Sequence, residues 1–439
     1  MHRLVILGGG TAGTMAANML RKRLSRHQWQ ITIVDRDDEH HYQPGYLFIP
    51  FGTYRREQVV RSRHAFIRDG IELVLSAIDT VDASARTVHL DDGRTLNYDL
   101  LIVATGCEPR PDQTPGLADA LNGPAADRAV HEFYTLPGAL GLHEALKRFT
   151  GGHLVVQLTE LPIKCPVAPL EFAFLAEDHL SRRGLGAATR ITYVTPLDGA
   201  FTKATCSRAL SHLLDDRDIS LETDFMTESV ELSPDGPARG VLRSYDDREI
   251  PFDMLVTVPV NMGQKWVARS GLGDDLNFIP TDKHTLRSRD HDDIWVLGDA
   301  SDIPTSKAGS VAHFACETLV DNIVAQISGT KLPSVFDGHA NCFIETGRGK
   351  ALLIDFNYDV EPLPGTFPIP AVGPMRLLTE TRANHAGKMA FRHIYWNVLL
   401  PGRTLPIGAH MSMAGKKPLA VPPEPTESHH QDGPAIPTF

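Results

Sequence analysis

The chain has 439 residues, of which 42% are hydrophobic and 22% charged, values that are ordinary for a soluble globular protein of two or three domains. Its formal net charge is −11, and this excess of acid argues against nucleic acid as a partner, because phosphate binding needs a cationic surface. The five cysteines are too few for a disulfide-stapled secreted scaffold and form no CxxC pair, so we predict no metal site.

The start of the chain leaves little room for a targeting segment. The first apolar run begins almost at Met1, which predicts that no signal peptide is present. No apolar run approaches the roughly 20 residues that cross a bilayer. We therefore expect any membrane association to be peripheral, with the membrane face left open.

A dinucleotide-binding fingerprint opens the chain. Its parts come in this order: apolar residues 3–7, glycine-rich residues 8–13, helical residues 14–24, apolar residues 31–34 and an acid. Gly8 permits a tight turn, Gly10 lets the backbone approach a pyrophosphate, and Gly13 lets the helix pack closely on the strand. The helix N-terminus offers free N–H groups to phosphates, and Asp35 is placed to accept from a ribose hydroxyl. This order predicts an α/β, Rossmann-type domain.

Two later buried-type strands complete a flavin-type pattern. Residues 100–103 end at the turn Ala104-Thr105-Gly106, and residues 294–297 end at Gly298-Asp299. In flavoproteins with two dinucleotide domains, the first turn returns the chain beside the cofactor. The Asp299 carboxylate can accept from a ribityl hydroxyl. The three segments together predict FAD binding more specifically than the opening loop alone.

The central part of the chain has the strand of a second such domain without its glycine loop. Residues 153–158 are predicted to form the first strand of this domain, but no glycine occurs between Gly152 and Gly184. The segment that follows the strand contains instead Pro162, Cys165, Pro166 and Pro169. Proline supplies no N–H donor, so this loop cannot hold a pyrophosphate with successive amides. A helix over 170–180 and a strand over 191–194 then predict a second Rossmann-type domain that has lost its nicotinamide site.

The C-terminal part changes in character. Residues 336–359 read as strands that carry Cys342-Phe343, and residues 362–374 are rich in proline. Residues 388–400 predict an amphipathic helix. Its apolar stripe consists of Phe391, Ile394, Tyr395, Val398 and Leu399. That stripe fits packing on the core and contact with membrane or quinone equally well. The composition of the last residues predicts a disordered tail.

Taken together, these segments resemble the sulfide:quinone oxidoreductase family and its relative, the flavoprotein subunit of flavocytochrome c sulfide dehydrogenase. The resemblance covers roughly residues 1 to 400. It rests on the loop 8–13, Asp35, residues 41–46 (His-Tyr-Gln-Pro-Gly-Tyr), Ala104-Thr105-Gly106, Cys165 with Glu171, Gly298-Asp299, residues 305–309 (Thr-Ser-Lys-Ala-Gly) and Cys342-Phe343.

The resemblance implies two Rossmann-type domains and a C-terminal membrane-facing region. The FAD domain is expected to be discontinuous, over residues 1–110 and 285–332, around a second domain at 111–284. The C-terminal region with the amphipathic helix is expected over 333–412, and the disordered tail over 413–439.

The resemblance also implies the site residues. The redox pair maps onto Cys165 and Cys342, the acid onto Glu171, and the lysine beside the flavin onto Lys307. The quinone pocket would be lined by Phe343, Phe391 and Tyr395. FAD would be held by Gly8, Gly10, Thr11, Ala12, Gly13, Asp35, Arg36, Gln43, Ala104, Thr105, Gly106, Gly298, Asp299 and Lys307. Hydrogen sulfide, ubiquinone or menaquinone, and a membrane surface are the implied partners, and we expect a homo-oligomer.

Simpler interpretations stand beside these roles. Glu171 is equally compatible with a helix cap, Cys206 and Cys316 are interpreted as packing residues, and His131 as a surface histidine rather than a proton relay. Many family members have a third cysteine before the central strand, a place where this chain offers only Cys107, directly after the Ala-Thr-Gly turn. Because no cysteine occurs near Tyr42, we predict non-covalent FAD.

Three other functions compete with sulfide oxidation coupled to quinone reduction. A flavoprotein that passes electrons from sulfide to a cytochrome is disfavoured by the missing signal peptide and by the C-terminal amphipathic segment. A type II NADH:quinone oxidoreductase is disfavoured by the absent second glycine loop. The non-enzymatic alternative is an FAD-bound redox-sensing module in which the cysteines switch a surface.

Overall fold

The computed structural model describes residues 1–122, 128–233, 236–403, 405 and 407–417. The N-terminal sheet is parallel, and its buried strands are apolar, as in sheets covered on both faces. Its strand order is Ile294–Val296, Leu100–Val103, His2–Leu7, Trp29–Asp35 and Glu72–Leu75. The helices Thr11–Arg23 and Gly309–Ile327 pack against each other. The N-terminal segment and residues 294–327 therefore form one domain of the dinucleotide-binding type.

The central sheet repeats this architecture with a second parallel set. Its strand order is Val130–His131, Met254–Val258, Gly152–Leu158, Thr189–Val194 and Ile219–Glu222. The longer helices of this part are Leu136–Arg148, Ala168–Arg182 and Ala204–Asp215. The prediction of an α/β fold with two Rossmann-type domains is confirmed.

Antiparallel pieces and short helices fill the connections. The strand pairs and triplets are Glu39–His41 with Val60–Ser62, Ile78–Asp82 with Thr87–Leu90 and Thr95–Asn97, Cys107–Pro109 with Asn261–Gly263, and Thr227–Leu232 with Gly240–Ser244 and Glu249–Phe252. The short helices are Arg56–Val59, Leu117–Leu121 and Lys265–Arg269.

The C-terminal region consists of two hairpins and a helix. The strands Ala340–Glu345 and Ala351–Phe356 form the first hairpin, and Gly365–Ile369 with Gly373–Leu377 form the second, within the proline-rich stretch. The helix begins at Arg382, six residues earlier than the apolar stripe suggested, because Thr381 caps it by accepting from the N–H of Asn384. It continues as a π-helical turn over Tyr395–Leu399.

The apolar stripe of this helix packs on the protein at its C-terminal end. Tyr395, Trp396 and Leu399 are buried. The Trp396 ring stacks on Phe66 at 5.0 Å between centroids, and Phe66 belongs to the N-terminal half of the chain. Core packing is therefore the correct interpretation for this part of the stripe. Within the described ranges, no helix is both long and apolar enough to cross a bilayer.

Two predictions about the ends of the C-terminal and central regions need correction. Residues 413–417, assigned to the disordered tail, are ordered because Lys416 pairs with Asp355 at 2.5 Å, and both side chains are buried. The rest of that tail, residues 418–439, lies outside the described residues. His131 is buried in the central sheet rather than at the surface, and burial lowers its pKa to about 4.

Candidate flavin and thiol site

The opening glycine loop has the geometry that a pyrophosphate requires. Gly8 has φ +93°, and a Cβ there would lie 2.5 Å from the carbonyl oxygen of Ala104. A Cβ on Gly13 would lie 1.8 Å from the Gly8 carbonyl oxygen, so only glycine lets the helix Thr11–Arg23 start this close to the strand. Gly10 faces outward, where an added Cβ would meet no described atom within 4 Å. The loop therefore leaves open space at Gly10, at the start of the helix Thr11–Arg23, where a phosphate can approach the helix N-terminus.

Arg63, which the sequence did not single out, fixes the acid that follows the second strand. Its guanidinium lies 3.1 Å from the Asp35 carboxylate and also bonds the carbonyl of Gly9. Asp35 in turn accepts from the N–H of Gly9 at 2.7 Å. The arginine is buried, so this charge-assisted contact is held in a low-dielectric setting. Arg63 thus positions the predicted ribose-binding carboxylate against the glycine loop.

The other predicted FAD segments face the same side. A Cβ on Gly106 would meet no described atom within 4 Å, and the buried hydroxyl of Thr105 has no hydrogen-bond partner among the described residues. Burial raises the pKa of the Asp299 carboxyl, while Lys307 opposes that shift. Arg36 is exposed, and exposed Gln43 accepts from Lys164 Nζ at 3.1 Å. An orphaned hydroxyl beside open glycines is what an FAD-binding surface leaves when the cofactor supplies the missing partners, so these residues fit FAD.

The loop that replaces the second glycine motif is held by hydrogen bonds between the main chain of Cys165 and other parts of the protein. Cys165 has φ +52°, a left-handed conformation that is uncommon for a residue with a Cβ. Its N–H donates to the carbonyl of Lys307 at 2.6 Å, and its carbonyl accepts from the Tyr134 hydroxyl and the Ala168 N–H, at 3.1 and 2.9 Å. These bonds hold the strained residue in one position, as happens at functional sites. They also occupy an amide that a nicotinamide nucleotide would need.

Lys307 joins this loop to the flavin-type turn. Its ammonium donates to the carbonyls of Ser301 and Asp299, at 2.8 and 3.2 Å, and lies 3.8 Å from the centre of the Phe278 ring. The side chain is buried, and burial lowers its pKa, although Cys107 and Asp299 oppose that shift. One lysine thus fixes the Gly298-Asp299 turn through its side chain and Cys165 through its backbone.

Helix Ala168–Arg182 and strand Ala340–Glu345 bring the neighbours of the two predicted redox cysteines together. Glu171, in the first turn of the helix, accepts from the N–H of Glu345 at 2.7 Å. It also forms an ion pair with Lys388 from the C-terminal helix, and the same ammonium donates to the carbonyl of Phe343 at 3.1 Å. Glu171 is only 1% exposed. A buried ion pair therefore spans the segments that carry Cys165 and Cys342.

The two thiols share one electrostatic environment. Cys165 and Cys342 are free, and each senses the charges of Glu171 and Lys388. Burial raises the pKa of Cys342 to about 12, with Glu171 adding to the shift and Lys388 opposing it. Burial also raises the pKa of Cys165, and Cys342 contributes to that shift. By contrast, Cys206 and Cys316 are fully buried in the core, as their interpretation as packing residues requires.

The three aromatic residues predicted for quinone follow one side of the C-terminal helix. A Cβ on Gly387 would lie 3.0 Å from the Phe343 ring, so this aromatic packs on the helix beside Cys342. Phe391 is partly buried one turn further along. Tyr395 lies at the glycine loop instead, where its hydroxyl shares 2.7 Å hydrogen bonds with Thr11 Oγ1 and with His40 Nε2. Tyr395 thus contacts the predicted dinucleotide loop, and its quinone role stays a prediction.

Lys388 and Arg63 are the functional residues that sequence reasoning missed. Lys388 is the first residue of the predicted amphipathic segment 388–400, and it pairs with Glu171, 217 positions earlier. A weak signal was present, because a lysine on the buried side of an apolar stripe requires a partner. Arg63 lies outside the nucleotide fingerprint, and nothing in its local pattern pointed to Asp35.

The chain belongs to the pyridine nucleotide-disulphide oxidoreductase family, whose model matches residues 2–316. Among its relatives, the mitochondrial sulfide:quinone oxidoreductase of Mus musculus is 25% identical over 406 residues, which cover 91% of this chain and 87% of that protein. The mitochondrial sulfide:quinone oxidoreductase of Schizosaccharomyces pombe is 24% identical over 90% of this chain and 89% of its own. The crystal structure of the sulfide:quinone oxidoreductase from Aquifex aeolicus superposes with a TM-score of 0.74 at 18% identity, over 92% of each chain. The resemblance inferred from the sequence is confirmed.

Proposed function

We propose that this chain is a sulfide:quinone oxidoreductase that oxidises hydrogen sulfide to sulfane sulfur at Cys165 and Cys342 and reduces quinone. The observation that carries the proposal is the loop in which strained Cys165 stands where a nicotinamide nucleotide would bind, bonded to Lys307. The relatives named above carry the same activity in their names. FAD, when bound, accepts two electrons from sulfur and passes them to quinone.

The residues of the chain define what happens at sulfur. A disulfide between Cys165 and Cys342 presents an electrophilic sulfur to hydrogen sulfide, which forms a new S–S bond, expels the other cysteine as a thiolate and gives up one proton. Burial disfavours that thiolate, and Lys388 is a cation that opposes the penalty for both thiols. Glu171 is the adjacent proton acceptor.

The quinone and membrane surfaces are part of the proposal. Phe343, beside Cys342 and against Gly387, and partly buried Phe391 form an apolar surface for ubiquinone or menaquinone. The exposed apolar tip of the second hairpin, with Ile369 and Val372, lies in the same C-terminal region and suits a bilayer surface. FAD is held without a covalent bond, and the protein acts as a peripheral membrane homo-oligomer.

Anaerobic bleaching of the flavin tests the function. Sulfide should bleach the absorbance of the FAD-loaded protein, and a soluble quinone analogue should restore it, whereas NADH should leave it unchanged. Cys165→Ala and Cys342→Ala should abolish bleaching while FAD stays bound, and Cys316→Ala, a buried cysteine that does not sense either thiol, is the control that should behave as wild type. Loss of FAD from Cys165→Ala, or rapid bleaching by NADH, would contradict the proposal.

The same experiment separates the alternatives. A redox-sensing module would show thiol oxidation without repeated cycles of bleaching and recovery. A cytochrome-linked sulfide dehydrogenase would reduce a cytochrome and leave the quinone analogue oxidised. The relatives favour quinone as the acceptor, because their names specify it.

A further inference from the structure

A cluster of four titratable side chains runs from the cysteines to the surface. Glu171, beside the thiols, pairs with Lys388, and its carboxylate also accepts from the N–H of Glu345. The Glu345 carboxylate bonds Nδ1 of His385, with contacts of 2.9 and 3.0 Å. His385 and Lys388 are three positions apart on the C-terminal helix and so share one face. Glu171 and Glu345 are 1% exposed, but the His385 side chain is 34% exposed.

The charges of this cluster do not balance without a proton. Two buried carboxyl groups face the single ammonium of Lys388, and a buried charge persists only when it is paired. One negative charge is therefore left over unless a proton resides on Glu345, on Glu171 or on His385. Burial raises the pKa of both carboxyl groups, with Lys388 opposing it, which brings their proton affinity closer to the physiological range.

We propose that Glu171, Lys388, Glu345 and His385 form a proton exit that carries the proton released at Cys165 and Cys342 to solvent. The inference deepens the proposed function and rests on it. In the step concerned, hydrogen sulfide forms an S–S bond with one cysteine, the bond between the cysteines breaks, and the departing cysteine keeps the electron pair as a thiolate. One sulfide proton stays on the resulting persulfide, and the other is transferred to Glu171.

The remaining path follows the contacts of the cluster. Lys388 is paired with Glu171 and acts electrostatically on the Glu345 carboxyl, so we assign the transfer between the two carboxyl groups to the surroundings of its ammonium. Glu345 passes the proton to Nδ1 of His385, which releases one from Nε2 to water. This positions His385 as the exit group, because it combines a direct contact to Glu345 with solvent exposure. It is a positioning residue, since it does not touch the reacting sulfur.

The other charged and titratable groups that face the cluster do not compete with it near neutral pH. They are Tyr42, Tyr54, Tyr134, Cys165, Cys342 and Arg392. Burial raises the pKa of each tyrosine and of both thiols, so these groups stay neutral there. Among the described residues, Glu171, Glu345 and His385 are the groups that the contacts of the cluster place on the path.

His385→Asn tests the exit, because the amide still donates to Glu345 but cannot carry a proton. The matched control is His393→Asn, an exposed histidine on the same helix that bonds Asn397. In anaerobic stopped-flow with FAD-loaded protein, His385→Asn should bleach with sulfide about tenfold more slowly than wild type at pH 7. Added imidazole should restore most of the rate, since it replaces the missing proton carrier, while wild type and His393→Asn should not respond.

A second variant locates the defect within the path. Glu345→Gln should be slowed at least as much as His385→Asn but should not respond to imidazole, because the break then lies inside the protein. Wild-type rates in His385→Asn, or a slowing that imidazole leaves unchanged, would overturn the proton exit alone. Failure of sulfide to bleach the wild type would contradict the proposed function, and the exit with it.

Discussion

Lys388→Met isolates the energetic role of the ion pair behind the cysteines. The variant preserves the length of the side chain but leaves Glu171 with the N–H of Glu345 and without the ammonium. A buried carboxylate that stays charged after losing its partner costs about 3–5 kcal/mol. The alternative is to bind a proton, which costs about 1.4 kcal/mol for each pH unit above the ordinary glutamate pKa of about 4.3.

The cost of protonating Glu171 sets how the loss of stability depends on pH. At pH 7 it costs roughly 3.7 kcal/mol, and at pH 5 roughly 1 kcal/mol, so we expect a loss of stability near 3 kcal/mol at pH 7 that shrinks to about 1 kcal/mol at pH 5. The sign follows from linkage. Burial already raises the pKa of Glu171 in the wild type, and the variant loses the opposing effect of Lys388, so the pKa rises further. The folded variant therefore binds a proton more readily than the unfolded chain, and its stability falls as pH increases.

Urea unfolding of the FAD-loaded protein, followed by tryptophan fluorescence at pH 5, 6 and 7, measures the effect. The double variant Lys388→Met/Glu171→Gln removes the titrating carboxyl and should recover stability at pH 7 and abolish the pH dependence. Lys147→Met, which removes an exposed pair with Glu144, is the control and should cost under about 0.5 kcal/mol. A loss that is constant across pH, or a double variant as unstable as the single one, would refute the reasoning.

Three further predictions concern the cofactor and the thiols. Arg63→Met should weaken FAD affinity by about tenfold to a hundredfold in a fluorescence titration. The reason is the loss of a charge-assisted contact with Asp35 and Gly9 that is worth roughly 1.5–3 kcal/mol. The control Arg94→Met, which removes the partner of exposed Asp92, should leave the affinity unchanged. Tyr395→Phe should raise the dissociation constant of FAD about fivefold through loss of its bond to Thr11, and unchanged affinity would disprove that contribution. With a thiol pKa of about 12, reduced Cys342 should be alkylated by iodoacetamide about ten times faster for each unit of rising pH between 7 and 9, with no plateau there. A plateau below pH 9 would show that the thiol ionises near neutrality.

The sequence predicted the parts of the fold whose causes are local. Glycine positions and an acid at fixed spacing defined the loop from Gly8 to Asp35, because steric limits at each glycine act within a few residues. The helix after Cys165 was expected over 170–180 and spans Ala168–Arg182. The proline that ends the loop is tolerated in the first turn of that helix, which explains why only the boundary differed.

The missed features depend on contacts between distant segments. Lys388 reaches Glu171 only after the C-terminal helix has docked, and no periodicity in residues 388–400 encodes that partner. Tyr395 belongs to the same apolar stripe as Phe391, yet about one further helical turn carries its hydroxyl to Thr11. Period alone identifies the buried side of a helix but not which of several buried surfaces each residue meets.

The bond between Tyr395 and Thr11 joins two residues that lie 384 positions apart in the chain. The glycine loop of the nucleotide site therefore lacks this bond until the C-terminal helix has been synthesised and has docked. A chain that ends before Tyr395 should therefore bind FAD more weakly than one that includes the C-terminal helix.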